Sequence, residues 1–371
     1  VGVTAVVAAL GFGSWRLRAA LLPEWSDARG RLAEVVIALS TFFAVAQLCG
    51  AAQLFSSVVL LVAELAAATA LATAAPHLAR FGCAGGTELS RRHNQKPQID
   101  PREVAAVGVG VAIVVVQWCA HTADAIARGM VHPDTLWYHG PFAAAFVQQH
   151  AFTGMDSLGY DAARWFPFNA QVLHAAGILA YGRDVLSPFL NLAWMGLALL
   201  AAWCAGRRRH VGHLCVLAAA VGLGLPVMVA TQPGQASSDV ACAALLLAAV
   251  ALVLESDLEP VPVALAGLAS GLALSTKITI APAMAVLAVA LLLLLVWQRR
   301  RAAPLAWTVS LVLTGTFWFG RDWVLAGTPL PWFDLTLGPI HWPAAVPPSA
   351  PSLAHDVLHA QAWRDLYLDG I

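Results

Sequence analysis

Residues 103–141 read EVAAVGVGVAIVVVQWCAHTADAIARGMVHPDTLWYHGP. Between Glu103 and Asp124 there is no Asp, Glu, Lys or Arg, only a run dominated by Val, Ala, Ile and Gly. About 20 such residues cross roughly 30 Å of hydrocarbon as one helix, so 103–123 reads as a membrane span. A few residues on, HPDTLWYHGP (132–141) sets a carboxylate, a phenol and an imidazole around a tryptophan. A greasy helix that hands the chain to a polar aromatic loop decides the fold class and locates the first candidate site.

The rest of the chain repeats the first half of that pattern. Of 371 residues, 59% are hydrophobic and 11% charged, with mean hydropathy +0.72. A soluble domain carries roughly 25% charged residues, which points to an integral membrane protein. Further runs lie at 32–50, 54–76, 185–205, 211–230, 238–255, 279–297 and 304–320; a shorter one at 261–276 and another at 1–14 bring the count to about ten. Backbone groups in lipid must be bonded internally, and runs this rich in Ala and Leu do so as helices rather than barrel strands. The expected fold is all-α, a polytopic bundle of about ten spans with a large first extracytoplasmic loop, 124–184, carrying short helices. The chain opens on Val1 and closes in a polar segment, so a piece of a longer protein is expected. Cys49, Cys83, Cys119, Cys204, Cys215 and Cys242 form no Cys-x-x-Cys pair, and neither a disulfide framework nor a zinc site is expected. The zero net charge singles out no partner, and none of the sequence patterns points to nucleic acid.

Loop charge sets orientation. Arg16, Arg18, Arg29 and Arg31 share one loop region, and Arg80, Arg91, Arg92, Lys96 and Arg102 another; Arg207–Arg209 and Arg299–Arg301 close later spans. If each run crosses once, all four groups, 15 of the 21 Lys and Arg, fall on one side, and the positive-inside rule makes that side the cytoplasm. Residues 124–184, 231–237, the neighbourhood of Lys277 and 321–371 then face outward. The Pro/Ala-rich 341–353 reads as an extended connector, and 353–369 as a surface amphipathic helix.

Each polar group on the outer side has a plain structural reading beside a chemical one. Asp134 suits a helix N-cap; Trp137 and Tyr138 suit an interfacial belt. Together with His139, the same residues suit acid–base work on a lipid headgroup. In WFPFNAQVLH (165–174) Asn169 looks like a helix start with Gln171 and His174 on its first turns. In QPGQASSD (232–239) Ser237, Ser238 and Asp239 make an N-cap cluster, or Asp239 is a second carboxylate for the same cavity. Lys277 either snorkels or meets a phosphate. Arg321 is a rim arginine or a bidentate phosphate ligand.

Four segments in this order resemble the GT-C class of polytopic glycosyltransferases, in particular bacterial relatives of protein mannosyltransferases and lipid A aminoarabinose transferases. A first outer loop like D-x-L-x-Y-H-x-P is matched by Asp134–Pro141. A later fP-x-N-x-E-x-L-H stretch is matched by Phe166–His174, a G-T-K span end by Leu274–Lys277, and R-N-W-x-x-x-G-N-P by Arg321–Pro329. The chain departs from the pattern at Gln171 (Glu in the family), at Asp322 and Thr328 (Asn), and in having three apolar runs before the core loop.

The resemblance implies an inverting transfer of a sugar from a polyprenyl-phosphate donor to an acceptor on the extracytoplasmic side of the inner membrane. It assigns Asp134 as the catalytic base and Tyr138, His139, Gln171, His174, Asp239, Lys277 and Arg321 to substrate binding. The class also admits a divalent cation, though no metal ligand set stands out. The expected organisation is N-terminal spans and basic loop (1–102), a membrane core (103–331) and a second outer segment (332–371) that relatives continue with further spans. The implied partners are the lipid-linked donor and membrane lipid, and no protein partner is implied. Two other classes stay open: a non-catalytic scaffold of the same build, and a flippase for lipid-linked sugars, for which Glu64 inside run 54–76 would suit a relay.

Overall fold

In the computed structural model, residues 2–81, 101–153, 163–297, 302–346 and 364 are described. Arg91, Arg92, Lys96, Arg299–Arg301 and nearly all of the 353–369 segment lie outside them. By packing, the chain divides into residues 1–318 and 319–371.

Every apolar run is helical. The first unit contains α1 (Gly2–Leu21), α2 (Ala28–Ala51), α3 (Ser57–Leu78) and α4 (Pro101–Arg128), then α5 (Gly140–Gln149), α6 (Asn169–Tyr181) and α7 (Ser187–Arg207). After these come α8 (Gly212–Leu223), α9 (Pro226–Thr231), α10 (Asp239–Glu255), α11 (Pro260–Leu274), α12 (Ala281–Trp297) and α13 (Ala302–Gly315). The chain passes into the second unit through α14 (Phe317–Ala326), and that unit holds a hairpin of β1 (Leu335–Leu337) and β2 (Ile340–Trp342), paired Leu335 to Trp342. The hairpin takes the first two residues of the expected connector.

The fold is therefore all-α in character, but four helices, α2, α3, α4 and α7, are long and apolar enough to cross a membrane; α13 and α14 make a fifth if counted as one interrupted span. This is compatible with a multi-pass membrane protein. The shortfall from ten has local causes. Run 211–230 breaks before Pro226, because the residue ahead of a proline avoids the helical region and Leu225 is extended (ψ 140°). The remaining helices are short, or carry arginines, as α1 does.

Close packing rests on small residues. On α11, Gly267 and Gly271 face α13, and a Cβ at either would press into the carbonyl oxygens of Trp307 or Leu311. Such small-residue contacts let helix backbones meet without a hydrophobic driving force. Ser275 Oγ donates to Thr314 O (2.8 Å) and Thr314 Oγ1 to Leu268 O (2.9 Å), closing the same interface.

The first unit has two chemically distinct ends. At one, Arg207 meets Asp27 (2.8 Å), Arg208 meets Glu255 (3.2 Å), and Arg29 meets both Asp27 (3.2 Å) and Glu255 (3.8 Å). Burial favours a neutral Asp27, but the charges of Arg29 and Arg207 prevail and lower its pKa. These bridges tie the N-terminus of α2 to the C-termini of α7 and α10. The opposite ends of α7 and α10, Ser187 and Asp239, belong to the other pole; a helix of the 21 residues of α7 separates its ends by about 30 Å.

Candidate functional site

At that second pole three chain breaks meet: 129–139, 232–238 and 275–277. The 232–238 turn is buried throughout. Gly234 at its apex has φ +71°, and a Cβ there would strike Ala125 and crowd the His121 carbonyl of α4, so the turn can lie on α4 only with glycine at this position. Asn191, on α7, shapes the turn from below: its Nδ2 donates to the carbonyls of Gln232 (2.7 Å), Gln235 (3.1 Å) and Ser237 (3.1 Å).

The turn in turn holds the loop that carries Asp134. Gln235 Oε1 accepts from the amides of Val131 (3.1 Å) and His132 (3.0 Å), and Thr135 Oγ1 accepts from the Ala236 amide (3.0 Å). Asp134 lies between these anchors, half-buried. Residues Thr135–His139 form one wide helical turn with i to i+5 bonding, the Gly140 amide donating to Thr135 O. Turns of this type cluster at functional sites. This one buries Thr135 and His139, half-buries Tyr138 and exposes Leu136 and Trp137. Asp134 makes no capping bond to it and has no hydrogen bond or ion pair among the described residues.

His139 is fixed from α6. Gln171 Nε2 lies 2.6 Å from His139 Nδ1, an arrangement that places the imidazole proton on Nε2. Burial first, then the positive fields of His174, Lys277 and His132, push the His139 pKa well below the ordinary histidine value. His139 therefore acts as a neutral hydrogen-bond donor rather than a second cation beside Lys277. Gln171 Oε1 is buried without a partner, as is Asn169 Nδ2 two residues earlier; if the Gln171 amide is turned, one of its two atoms still lacks a bond. Tyr138 stacks obliquely on His139, ring centres 4.1 Å apart.

His174 has a structural task. Its Nδ1 meets Ser187 Oγ at 2.7 Å, and a ring N–H donates to the Ala236 carbonyl. Burial pushes its pKa down to about 4, against the opposing pull of Asp184 and that carbonyl. It joins α6, α7 and the buried turn.

Asp239 opens α10, and neither Ser237 nor Ser238 provides the expected side-chain cap. Its Oδ1 pairs with Lys277 Nζ and its Oδ2 accepts from Gln232 Nε2 at 3.1 Å, while Gln232 Oε1 accepts the Val240 amide at 3.2 Å. Lys277, in the extended link after α11, is thus a compensated cation, three-quarters buried at its side chain. The break is tied to the rest of the node by the Asn169 amide, which donates to Ser275 O (3.1 Å). Asn169 Oδ1 also accepts from Gln47 Nε2 and Trp318 Nε1, both at 2.9 Å. Trp318 is walled by Phe146, Phe152 and Phe168, with ring centres 5.2–6.2 Å away.

Six of the expected site residues, His139, Gln171, His174, Asp239, Lys277 and Tyr138, thus share one connected node, and Asp134 is carried on its rim. Arg321 belongs to the second unit, where it is buried and bonded to Asp322 Oδ1 (Nε 2.9 Å, Nη2 2.6 Å). Asp322, where the resembled motif has Asn, is its ion-pair partner. Residues missed by sequence reading are Gln47, Thr135, Ser187, Asn191, Gln232 and Gln235. The available signal was simply an amide or hydroxyl inside or beside an apolar run, as Asn191 is in SPFLNLAWMG.

Among the described residues no group of three or more His, Cys, Asp or Glu is placed to hold a metal ion. No family model, curated protein or solved structure matches the chain.

Proposed function

We propose that the chain is a membrane glycosyltransferase that moves a sugar from a polyprenyl-phosphate-linked donor to an acceptor on the extracytoplasmic side, with the ten apolar runs as spans and the arginine-rich pole in the cytoplasm. One observation carries the reading. Segments 131–139, 169–174, 232–239 and 275–277, far apart in sequence, are hydrogen-bonded into one polar node that holds a lysine and, on its rim, an unbonded carboxylate.

In this reading an acceptor hydroxyl gives its proton to the Asp134 carboxylate as its oxygen attacks the anomeric carbon. The bond from that carbon to the phosphate oxygen breaks, and the departing polyprenyl phosphate keeps the electron pair. Lys277 is the cation of the node, and Asp239 holds it oriented until a phosphate shares it. His139 Nε2–H and the spare amide atom of Gln171 are neutral groups able to bond sugar hydroxyls. Holding both reactants in the node makes the step one of proximity.

Asp134→Asn tests this with a radiolabelled polyprenyl-phosphate sugar in membranes. Transfer should fall by about 10²–10⁴-fold, the usual contribution of a general base, with expression and folding intact. Unchanged transfer removes Asp134 from the role. Movement of the labelled donor across vesicles without consumption of acceptor would replace transfer with transport. A cysteine at 134 that reacts with an impermeant maleimide only from the cytoplasmic face would reverse the orientation.

A further inference from the structure

On another face of the first unit, α1, α2, α3, α6 and the start of α7 line a cavity of about 760 Å³. Small-molecule sites run from about 300 to 1,000 Å³, so it has the size of a ligand site. Its walls are almost wholly Val, Leu, Ala and Gly, with Leu10, Leu39, Phe42, Leu60 and Leu173 among them. The charged residues on the wall are Arg31, Glu34 and Glu64. Glu34 is held by Arg18 (2.9 Å) and Arg31 (2.6 Å). Glu64 is different: it is 1% exposed and both carboxylate oxygens are buried with no hydrogen-bond partner.

A carboxyl left unbonded in an apolar wall is costly, and an ionised one far more so. The cations of the cavity wall are taken: Arg31 is paired with Glu34. Two buried carboxyl oxygens without partners leave hydrogen-bonding capacity unmet, and a hydroxyl, which both donates and accepts, can meet it. The rim supplies the second constraint. Val7 and Val58 line the cavity and are 65% and 68% exposed, so the opening is apolar, and α3 is among the helices fit to cross a bilayer. A ligand entering there comes from hydrocarbon and brings a chain.

We propose that this cavity is a binding site for a hydroxyl-bearing chain lipid, whose hydroxyl exchanges hydrogen bonds with Glu64 while its chain fills the space between α1, α2, α3 and α6. The site is independent of the transfer chemistry at Asp134 and stands or falls separately.

The test uses the full chain in phosphatidylcholine nanodiscs with tritiated 1-hexadecanol. Saturable binding of one molecule per chain is expected, with hexadecane competing about tenfold less well, the value of one buried hydrogen bond. Glu64→Leu should weaken binding about tenfold, whereas Glu64→Gln, which still donates and accepts, should stay within about threefold. Ala38→Phe, which fills the cavity from α2 and leaves Glu64 in place, should abolish binding. On the unsubstituted protein, dicyclohexylcarbodiimide should modify Glu64, and hexadecanol should protect it; this arm needs no variant to fold. Competition by dioleoylglycerol would mark the natural source as a glycerolipid, and its failure a free long-chain alcohol. The assignment is overturned if binding is not saturable, if hexadecane matches hexadecanol, if Glu64→Leu has no effect, or if hexadecylamine outcompetes hexadecanol.

Discussion

His174 should make the folded chain acid-sensitive, and the size of the effect follows from its surroundings. In the unfolded chain a histidine takes up its proton near pH 6.5, whereas in the fold burial holds His174 neutral down to about pH 4. As pH falls through that window the unfolded state binds a proton that the folded state refuses. Stability is therefore full above pH 6.5, declines between 6.5 and 4, and levels off below. At about 1.4 kcal/mol per pH unit the gap amounts to about 3 kcal/mol. His139, lowered first by burial as well, adds in the same direction. Asp184, the charged group facing His174, opposes the effect and is already reflected in the value. His174→Gln removes the titration while an amide can still bond Ser187 and the Ala236 carbonyl. Purified protein should be unfolded thermally at pH 7 and at pH 4, followed by tryptophan fluorescence. The unsubstituted chain should lose several degrees more than the variant across that interval, whatever the variant loses at pH 7. Equal losses in the two proteins would refute the assignment of a buried neutral imidazole.

Lys277→Met should change thermal stability by less than about 1 kcal/mol, because its pair with Asp239 is partly exposed, yet lower sugar transfer by about two orders of magnitude; radiolabelled transfer and thermal unfolding on one preparation separate the two. Asn191→Leu leaves the Gln235 and Ser237 carbonyls without their side-chain donor and removes one of two from Gln232, and should cost about 1–3 kcal/mol while hydrogen exchange across 232–239 accelerates. Gly271→Val forces a side chain into the Leu311 carbonyl and should destabilise by at least the roughly 1–3 kcal/mol of an overpacked core, visible as a lower thermal midpoint, with Gly271→Ala falling between the two.

Helical character was legible wherever length alone decides: the runs at 32–50, 54–76, 103–123 and 185–205 became α2, α3, α4 and α7. Run 211–230 was not legible as one helix, although Gly224-Leu225-Pro226 carried the warning. At the site, residue types were readable and partners were not. Gln171 reads as a lost carboxylate, yet in the fold it orients His139. The serines at 237 and 238 read as caps and do not cap, because Asp239 turns instead to Lys277 and Gln232. The bond from Gln47 to Asn169 spans 122 residues, and no periodicity encodes a pairing at that distance. Arg321 reads as a rim arginine or a phosphate ligand, yet in the fold it is paired with the neighbouring Asp322.

The node exists because helices are interrupted there. Backbone amides and carbonyls freed at a break must find partners away from bulk water, and side chains supply them: Gln235 for Val131 and His132, Thr135 for Ala236, Gln232 for Val240, Asn191 for three carbonyls of the turn. Most polar side chains at this pole are thereby committed. The carboxylates can be taken in the same way. Asp124 pairs with Arg128, Asp184 accepts from the Ser187 amide, and Asp239 holds Lys277. Asp134 alone of these has no such engagement, although it stands at the head of a turn whose amides a capping carboxylate would accept from. A carboxylate left unbonded on the rim of a node that holds Lys277 and the under-bonded amide of Gln171 is placed to meet something that arrives, and this subtraction, more than the motif, favours Asp134 for the proposed role.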